Sequence, residues 1–236
     1  MRSFQDLKRD LVTLADHKKA EVLQRFFKTG PRQYGEGDIF LGITVPRLRN
    51  VAKKYKHIQL KYVKRLLDSN IHEERLVSLL LLVQRYNDSS DKEKERIVRF
   101  YLGNTKHINN WNLVDLTAPN ILGSFLKEKE DRSLLYKLAK SKNLWERRIA
   151  IIATLSLIRN NEFHVTLKIS EIILQDEHDL IQKAVGWMLR EVGKRNAMVE
   201  ETFLKKHYRS MSRTMLRYAI ERFPENKRRA YLKGNI

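Results

Sequence analysis

The sequence predicts an all-α protein, an α-solenoid of HEAT-like helical repeats. Three observations lead there. Apolar residues recur at steps of three and four along the chain, with no strand-like alternation. Only nine glycines and four prolines interrupt 236 residues, and they fall between the periodic segments. The helices also recur. Those carrying Glu74-Arg75-Leu76, Trp111-Asn112-Leu113, Arg147-Arg148-Ile149 and Lys183-Ala184-Val185 are predicted to start near 72, 110, 144 and 178, and a further one near 211. Two helices per unit of roughly 33–38 residues is the mark of a helical solenoid. The small-and-aromatic pattern of tetratricopeptide repeats is missing, which favours the HEAT-like class.

The elements follow in order. Residues 3–28 read as an N-terminal helical segment. The stretch Thr29-Gly30-Pro31-Arg32-Gln33-Tyr34-Gly35-Glu36-Gly37-Asp38 cannot be helix, because its glycines and proline forbid it. Apolar Ile39-Phe40-Leu41 follows at once, so this loop is not a domain linker. Further helices are expected at about 46–56, 59–68, 72–86, 91–102, 110–127, 131–141, 144–160, 163–175, 178–195, 198–207 and 211–222. The whole chain, 1–236, then reads as one domain, with an N-terminal segment and glycine-rich loop over 1–45 and helical repeats over 46–236. Such repeats stack because none buries its apolar face alone, and the second helix of each lines a curved, concave surface.

Composition says what that surface meets. Lys and Arg number 47 against 28 Asp and Glu, a formal charge of +19, and the pI is about 10.1. Excess positive charge speaks of partners and solubility, not of fold, and its usual partner is a nucleic acid. From Lys205 to Lys233 ten basic residues face only Glu221 and Glu225, yet Tyr208, Met211, Met215, Leu216 and Phe223 interleave with them. That stretch reads as helix rather than basic tail. A basic concave groove is the expectation. With no cysteine, disulfides, thiolate metal sites and cysteine nucleophiles are excluded. No stretch approaches the roughly 18 apolar residues of a membrane span, and the N-terminus lacks a signal-peptide core. The expected setting is cytoplasmic.

Two places break the apolar pattern. On the helix around Trp187, Ile181, Val185, Met188 and Val192 form the apolar stripe, and Trp187 lies about 130° from it, at i+4 from Lys183 and i−3 from Arg190. An indole on a basic face can stack on a base or hold a cation, or it can pack on a neighbouring repeat. On the helix from Trp111, Asp115 sits among Val114, Ala118, Leu122 and Phe125, four residues after the indole. Pro119, four residues further, has no N–H for the Asp115 carbonyl, so the helix must kink or restart there. Arg148 is its counterpart, a cation in a stripe with Trp145, Ile152 and Leu155, one repeat later. The two charges are expected to meet, either as a buried salt bridge or as parts of a site.

Other chemistries find no residues. The seven histidines form no i, i+4 pair and no H-E-x-x-H motif, so no metal site is expected. The glycine-rich loop lacks a lysine in phosphate-loop spacing and carries acids, and no G-x-S-x-G elbow occurs.

Four segments together carry a resemblance. They are Phe40-Leu41-Gly42-Ile43-Thr44-Val45-Pro46, Trp111-Asn112-Leu113-Val114-Asp115, Leu144-Trp145-Glu146-Arg147-Arg148 and Gln182-Lys183-Ala184-Val185-Gly186-Trp187-Met188-Leu189-Arg190-Glu191. They resemble the DNA alkylation repair family of HEAT-like-repeat glycosylases, the AlkD type, over nearly the whole chain. The last segment is the most specific. The resemblance implies a monomeric DNA glycosylase, free of metal and cofactor. It would excise N3- and N7-alkylated purines, such as 3-methyladenine and 7-methylguanine, from duplex DNA in base excision repair. It implies Trp111, Asp115, Arg148 and Trp187 as catalytic positions. Lys183, Arg190, Arg147 and Thr44 are the expected further DNA contacts. Some members carry a glutamine at the position of Thr44 and a tyrosine near Phe26, so contacts by those groups differ here. A module that binds branched or damaged DNA without cutting it, and a solenoid that binds an acidic protein, are the competing readings.

Overall fold

The periodic segments are helices. The computed structural model describes residues 3–236, and among these no β-strand forms. A single parallel bridge joins Ile39 to Ile71. Met1 and Arg2, at the head of the N-terminal segment, lie outside the described residues. The chain divides into two units, one ending at Thr117 and one beginning at Ala118.

The first unit opens with α1 (Phe4–Thr13), started by a capping box in which Ser3 and Asp6 each bond the other's backbone N–H. The expected single helix over 3–28 is in fact two. α1 stops at its C-cap Leu14, and Asp16 caps α2 (His17–Phe26), its carboxylate accepting from the Lys19 N–H at 3.1 Å, while its own N–H donates to the Leu41 carbonyl at 2.8 Å. A helix that ran through would forfeit both bonds. Then come α3 (Val45–Lys54), with Pro46 in its first turn, α4 (Leu60–Leu67), α5 (His72–Asn87), α6 (Asp91–Leu102), a 3-10 turn at Thr105–His107, and α7 (Trp111–Thr117).

The first turn of α5 is polar and buried, and it organises the unit. Glu73 accepts the backbone N–H groups of Leu41, Gly42 and Ile43 at 2.9, 2.8 and 3.2 Å. Glu74 pairs with Lys8, and Arg75 with Asp38 at 2.7 Å. Gly42 is required between these partners. Its φ is +81°, and a Cβ there would stand 2.1 Å from the Asp16 carbonyl oxygen.

The second unit begins with a π-turn at Pro119–Gly123, closed by the Gly123 N–H on the Ala118 carbonyl at 2.8 Å. The helix expected over 110–127 is therefore α7, this turn and α8 (Ser124–Lys127), because Pro119 removes the bond that would continue α7. Next are α9 (Ser133–Ala139), α10 (Leu144–Ala153), α11 (Leu155–Arg159), α12 (His164–Ile172), α13 (Asp179–Arg195), α14 (Ala197–His207), α15 (Arg213–Ala219) with a 3-10 turn at Ile220–Arg222, and α16 (Glu225–Lys233). The last lies beyond the expected end at 222; Tyr231, fully buried, anchors it. The basic C-terminal stretch is thus folded helix.

The repeat is real. α5, α7, α10, α13 and α15 begin at residues 72, 111, 144, 179 and 213, each within two residues of its predicted start. In the second unit α13 packs against α10, α14 and α15, and Ile181, Val185, Met188 and Val192 are fully buried, as their spacing demands. Among the described residues no helix is long and apolar enough to cross a membrane.

Candidate functional site

In the first unit, Trp111 and Asp115 lie on α7 four residues apart, and both are half-buried. Trp111 sits at the end of an aromatic stack. Phe27 covers one face of the indole, centroids 5.1 Å apart and planes at 26°. Phe27 stacks in turn on Phe40 at 5.0 Å and His72 at 5.3 Å, and Phe40 on His72 at 4.4 Å. Exposed Phe26 meets the indole edge-on at 5.9 Å. The indole N–H donates to the hydroxyl of Tyr34, in the glycine-rich loop, at 3.1 Å.

Behind the stack runs a buried polar chain. His72 Nδ1 bonds Asp38 Oδ2 at 3.2 Å, and its Nε2 meets the amide of Asn112, next to Trp111, at 2.9 Å. Burial depresses the His72 pKa, and Arg75 adds to that against the pull of Asp38, so the imidazole is neutral at pH 7. A neutral ring donating from Nδ1 and accepting at Nε2 satisfies both neighbours. Burial alone would raise Asp38, but the hydrogen bond from His72 and the charge of Arg75 hold its carboxyl below the usual range.

The other expected residues lie in the second unit or at the surface. Arg148 is 5% exposed, in α10, and donates to the Leu180 carbonyl, tying α10 to the first turn of α13. Its stripe partners Trp145, Ile152 and Leu155 are buried, as the sequence implied. Trp187 is half-buried on α13 and bonds Glu191 Oε1, one turn on, at 3.0 Å. The preceding Gly186 lets α13 come close to α15: a Cβ there would stand 2.4 Å from the Met215 carbonyl oxygen. That close approach explains the glycine in the most specific segment of the sequence.

The cations expected to meet DNA have carboxylate partners in this structure. Lys183 pairs with Asp179 at 2.7 Å, Arg147 with Asp176 at 2.6 Å, and Arg190 with Glu221. Thr44 is exposed at the N-cap of α3, and its hydroxyl makes no cap bond. No group of three or more His, Cys, Asp or Glu among the described residues is placed to hold a metal ion.

Sequence reasoning missed Tyr34, Phe27, His72 and Asp38. The loop that holds Tyr34 and Asp38 has no phosphate-cradle spacing, and its linear pattern points to no other chemistry. One signal was present: an acid and an aromatic in a glycine-rich turn just before an apolar run. Nothing in a linear pattern says that they reach α5 and α7.

Helices recurring at a regular spacing, with no strand among the described residues, define an all-α helical-repeat protein. The chain belongs to the DNA alkylation repair enzyme family, whose profile matches residues 7–223. A solved structure described as a predicted DNA alkylation repair enzyme from Enterococcus faecalis has the same fold, with a TM-score of 0.68. It is 19% identical, over 89% of this chain and 97% of that one. No curated protein gives a significant match.

Proposed function

We propose that this protein is a DNA glycosylase that excises cationic N3- and N7-alkylated purines from duplex DNA, acting as a monomer in base excision repair. The observation that carries the reading is the pairing on α7. An indole with one face covered by Phe27 stands one helical turn from the Asp115 carboxylate, both half-buried, within a family of DNA alkylation repair enzymes.

The chemistry suits that pair. A purine alkylated at N3 or N7 is positively charged and leaves without being protonated. As the C1′–N bond breaks, its electron pair goes to the base, which departs neutral, and the sugar becomes oxocarbenium-like. The Asp115 carboxylate stabilises that cation. Water adds its oxygen to C1′ and gives up a proton, leaving an abasic site. Trp111 and Trp187 offer π-faces to cationic base and sugar. Arg148, Lys183, Arg190, Arg147 and Thr44 hold the backbone, which positions DNA without reading its sequence. Each of the three ion-paired cations exchanges its carboxylate for a phosphate on binding.

The test is incubation with a duplex carrying one 7-methylguanine, followed by alkali cleavage at abasic sites. Wild-type protein should cleave, and Asp115→Asn should lose excision by at least about a hundredfold while still binding duplex. Near-normal excision by that variant would sink the mechanism. Salt-sensitive binding with no abasic product from the wild type would instead identify a binding module.

A further inference from the structure

We propose that Tyr34 is a positioning residue for Trp111, and that the glycine-rich loop carrying it holds the indole at one angle. The proposal rests on the glycosylase reading for its rate measurement only; the geometry stands apart from it. A tryptophan side chain turns about two torsions, so two contacts on different parts of the ring suffice to fix it. Phe27 takes one face, and the Tyr34 hydroxyl takes the N–H. The remaining face then has a set direction. Attraction between a cation and an indole depends on the cation lying over the ring, so a fixed tilt selects where a charged base can sit.

The loop is built to hold that hydroxyl. At its start the Thr29 N–H donates to the Gln24 carbonyl at 3.3 Å, and the Gly35 N–H returns to the Lys28 carbonyl at 3.2 Å, beside Phe27. Between them, Gln33 Oε1 accepts the Gly30 N–H at 3.0 Å, and Glu36 accepts the Arg32 N–H at 2.7 Å. At its end Asp38 is fastened to Arg75 and His72. His72 belongs to the stack that backs Phe27. Both ends of the loop and the covered face of the indole therefore converge on one cluster. Tyr34 touches the DNA-facing chemistry through Trp111 and is not itself a catalytic residue.

The experiment is Tyr34→Phe, which keeps the ring and removes the acceptor. Single-turnover excision of 7-methylguanine should fall about fivefold, the worth of one neutral hydrogen bond, with duplex affinity unchanged and the fold intact at the assay temperature. In a Trp111→Phe background, which has no N–H to hold, Tyr34→Phe should cost nothing further. An undiminished rate, or the same loss in both backgrounds, overturns the proposal. A second readout does not need activity. With Trp145 and Trp187 replaced by Phe, Trp111 is the sole tryptophan, and Tyr34→Phe should move its emission maximum and lower its anisotropy. No change in emission overturns the proposal. A wild type without excision would defeat the glycosylase reading, and the emission result would still decide Tyr34.

Discussion

Trp111 and Trp187 are both half-buried indoles on helices that start a repeat, yet the two units hold them by different means. Trp187 bonds Glu191 on its own helix, four residues on, and Glu191 also pairs with Lys194 at 2.6 Å. Everything that holds its N–H lies within one turn of α13. Trp111 bonds a tyrosine 77 residues earlier in the chain and stacks on Phe27, 84 positions away by numbering. The first unit spends a loop and a buried aromatic cluster to position one side chain, and the second uses helical periodicity. The contrast extends to titration. The first unit buries a neutral histidine beside a low-pKa carboxylate, whereas the second buries Glu200, whose pKa burial pushes up to about 8 despite nearby Arg190 and Lys227.

The largest expected effect tests the aromatic cluster. Phe27 is 6% exposed and touches Phe26, Phe40, His72 and Trp111. Phe27→Ala should cost about 3–5 kcal/mol in chemical denaturation and uncover the second face of the indole. A loss below about 1 kcal/mol would mean that the stack is not what holds Trp111.

Glu200 gives the next effect, and its sign is opposite to that of an ion-paired acid. Its folded pKa lies above the unfolded value, so the unfolded chain releases its proton first as pH rises from about 4.5 to 8. The stability conferred by the protonated acid is complete below about 4.5 and lost as pH climbs to about 8. Glu200→Gln should therefore stabilise by about 4 kcal/mol at pH 8 and by almost nothing at pH 4.5. Melting curves at the two values measure it, and equal shifts at both would refute the burial argument.

Acidification separates the units directly. His72 has a lowered pKa, so the unfolded chain takes up its proton first below about pH 6.5, and the first unit loses stability as pH falls. Peptide-resolved hydrogen exchange at pH 7.5 and 5.5, corrected for intrinsic rates, should show α5 less protected at the lower pH and α14 more protected. A uniform response would erase the distinction between the two regions.

The smallest effect concerns the surface pairs of the second unit. Lys183 and Asp179 are an i, i+4 pair, each more than a third exposed at the side chain. Asp179→Asn should change stability by under about 0.5 kcal/mol. It should raise duplex affinity two- to threefold with a steeper salt dependence, because Lys183 no longer leaves a carboxylate to meet phosphate. Unchanged affinity would remove Lys183 from the DNA contacts.

Legibility followed the range of the forces involved. Helix starts at 72, 111, 144, 179 and 213 were readable because caps and apolar spacing act within a turn or two. The break at Asp16 was hidden by the continuous apolar period on either side of it; its reason, the bond to the Leu41 carbonyl, lies 25 residues away in the chain. Of the candidate site, Trp111, Asp115, Arg148 and Trp187 stood out because each broke a local pattern. Tyr34 and Asp38 broke none, since polar and aromatic residues are ordinary in a glycine-rich turn.

The sequence by itself determined the class of fold, the phase of its repeats and which side chains sit at odds with their own helices. Periodicity, capping and the absent N–H of Pro119 are short-range and need no partner from afar. Only the tertiary structure decided which acid holds the backbone of residues 41–43, which tyrosine reaches the indole of Trp111, and which carboxylates the basic residues face. Those contacts join segments tens of residues apart, and their free energy appears only when the intervening chain has folded to bring them within a few ångströms.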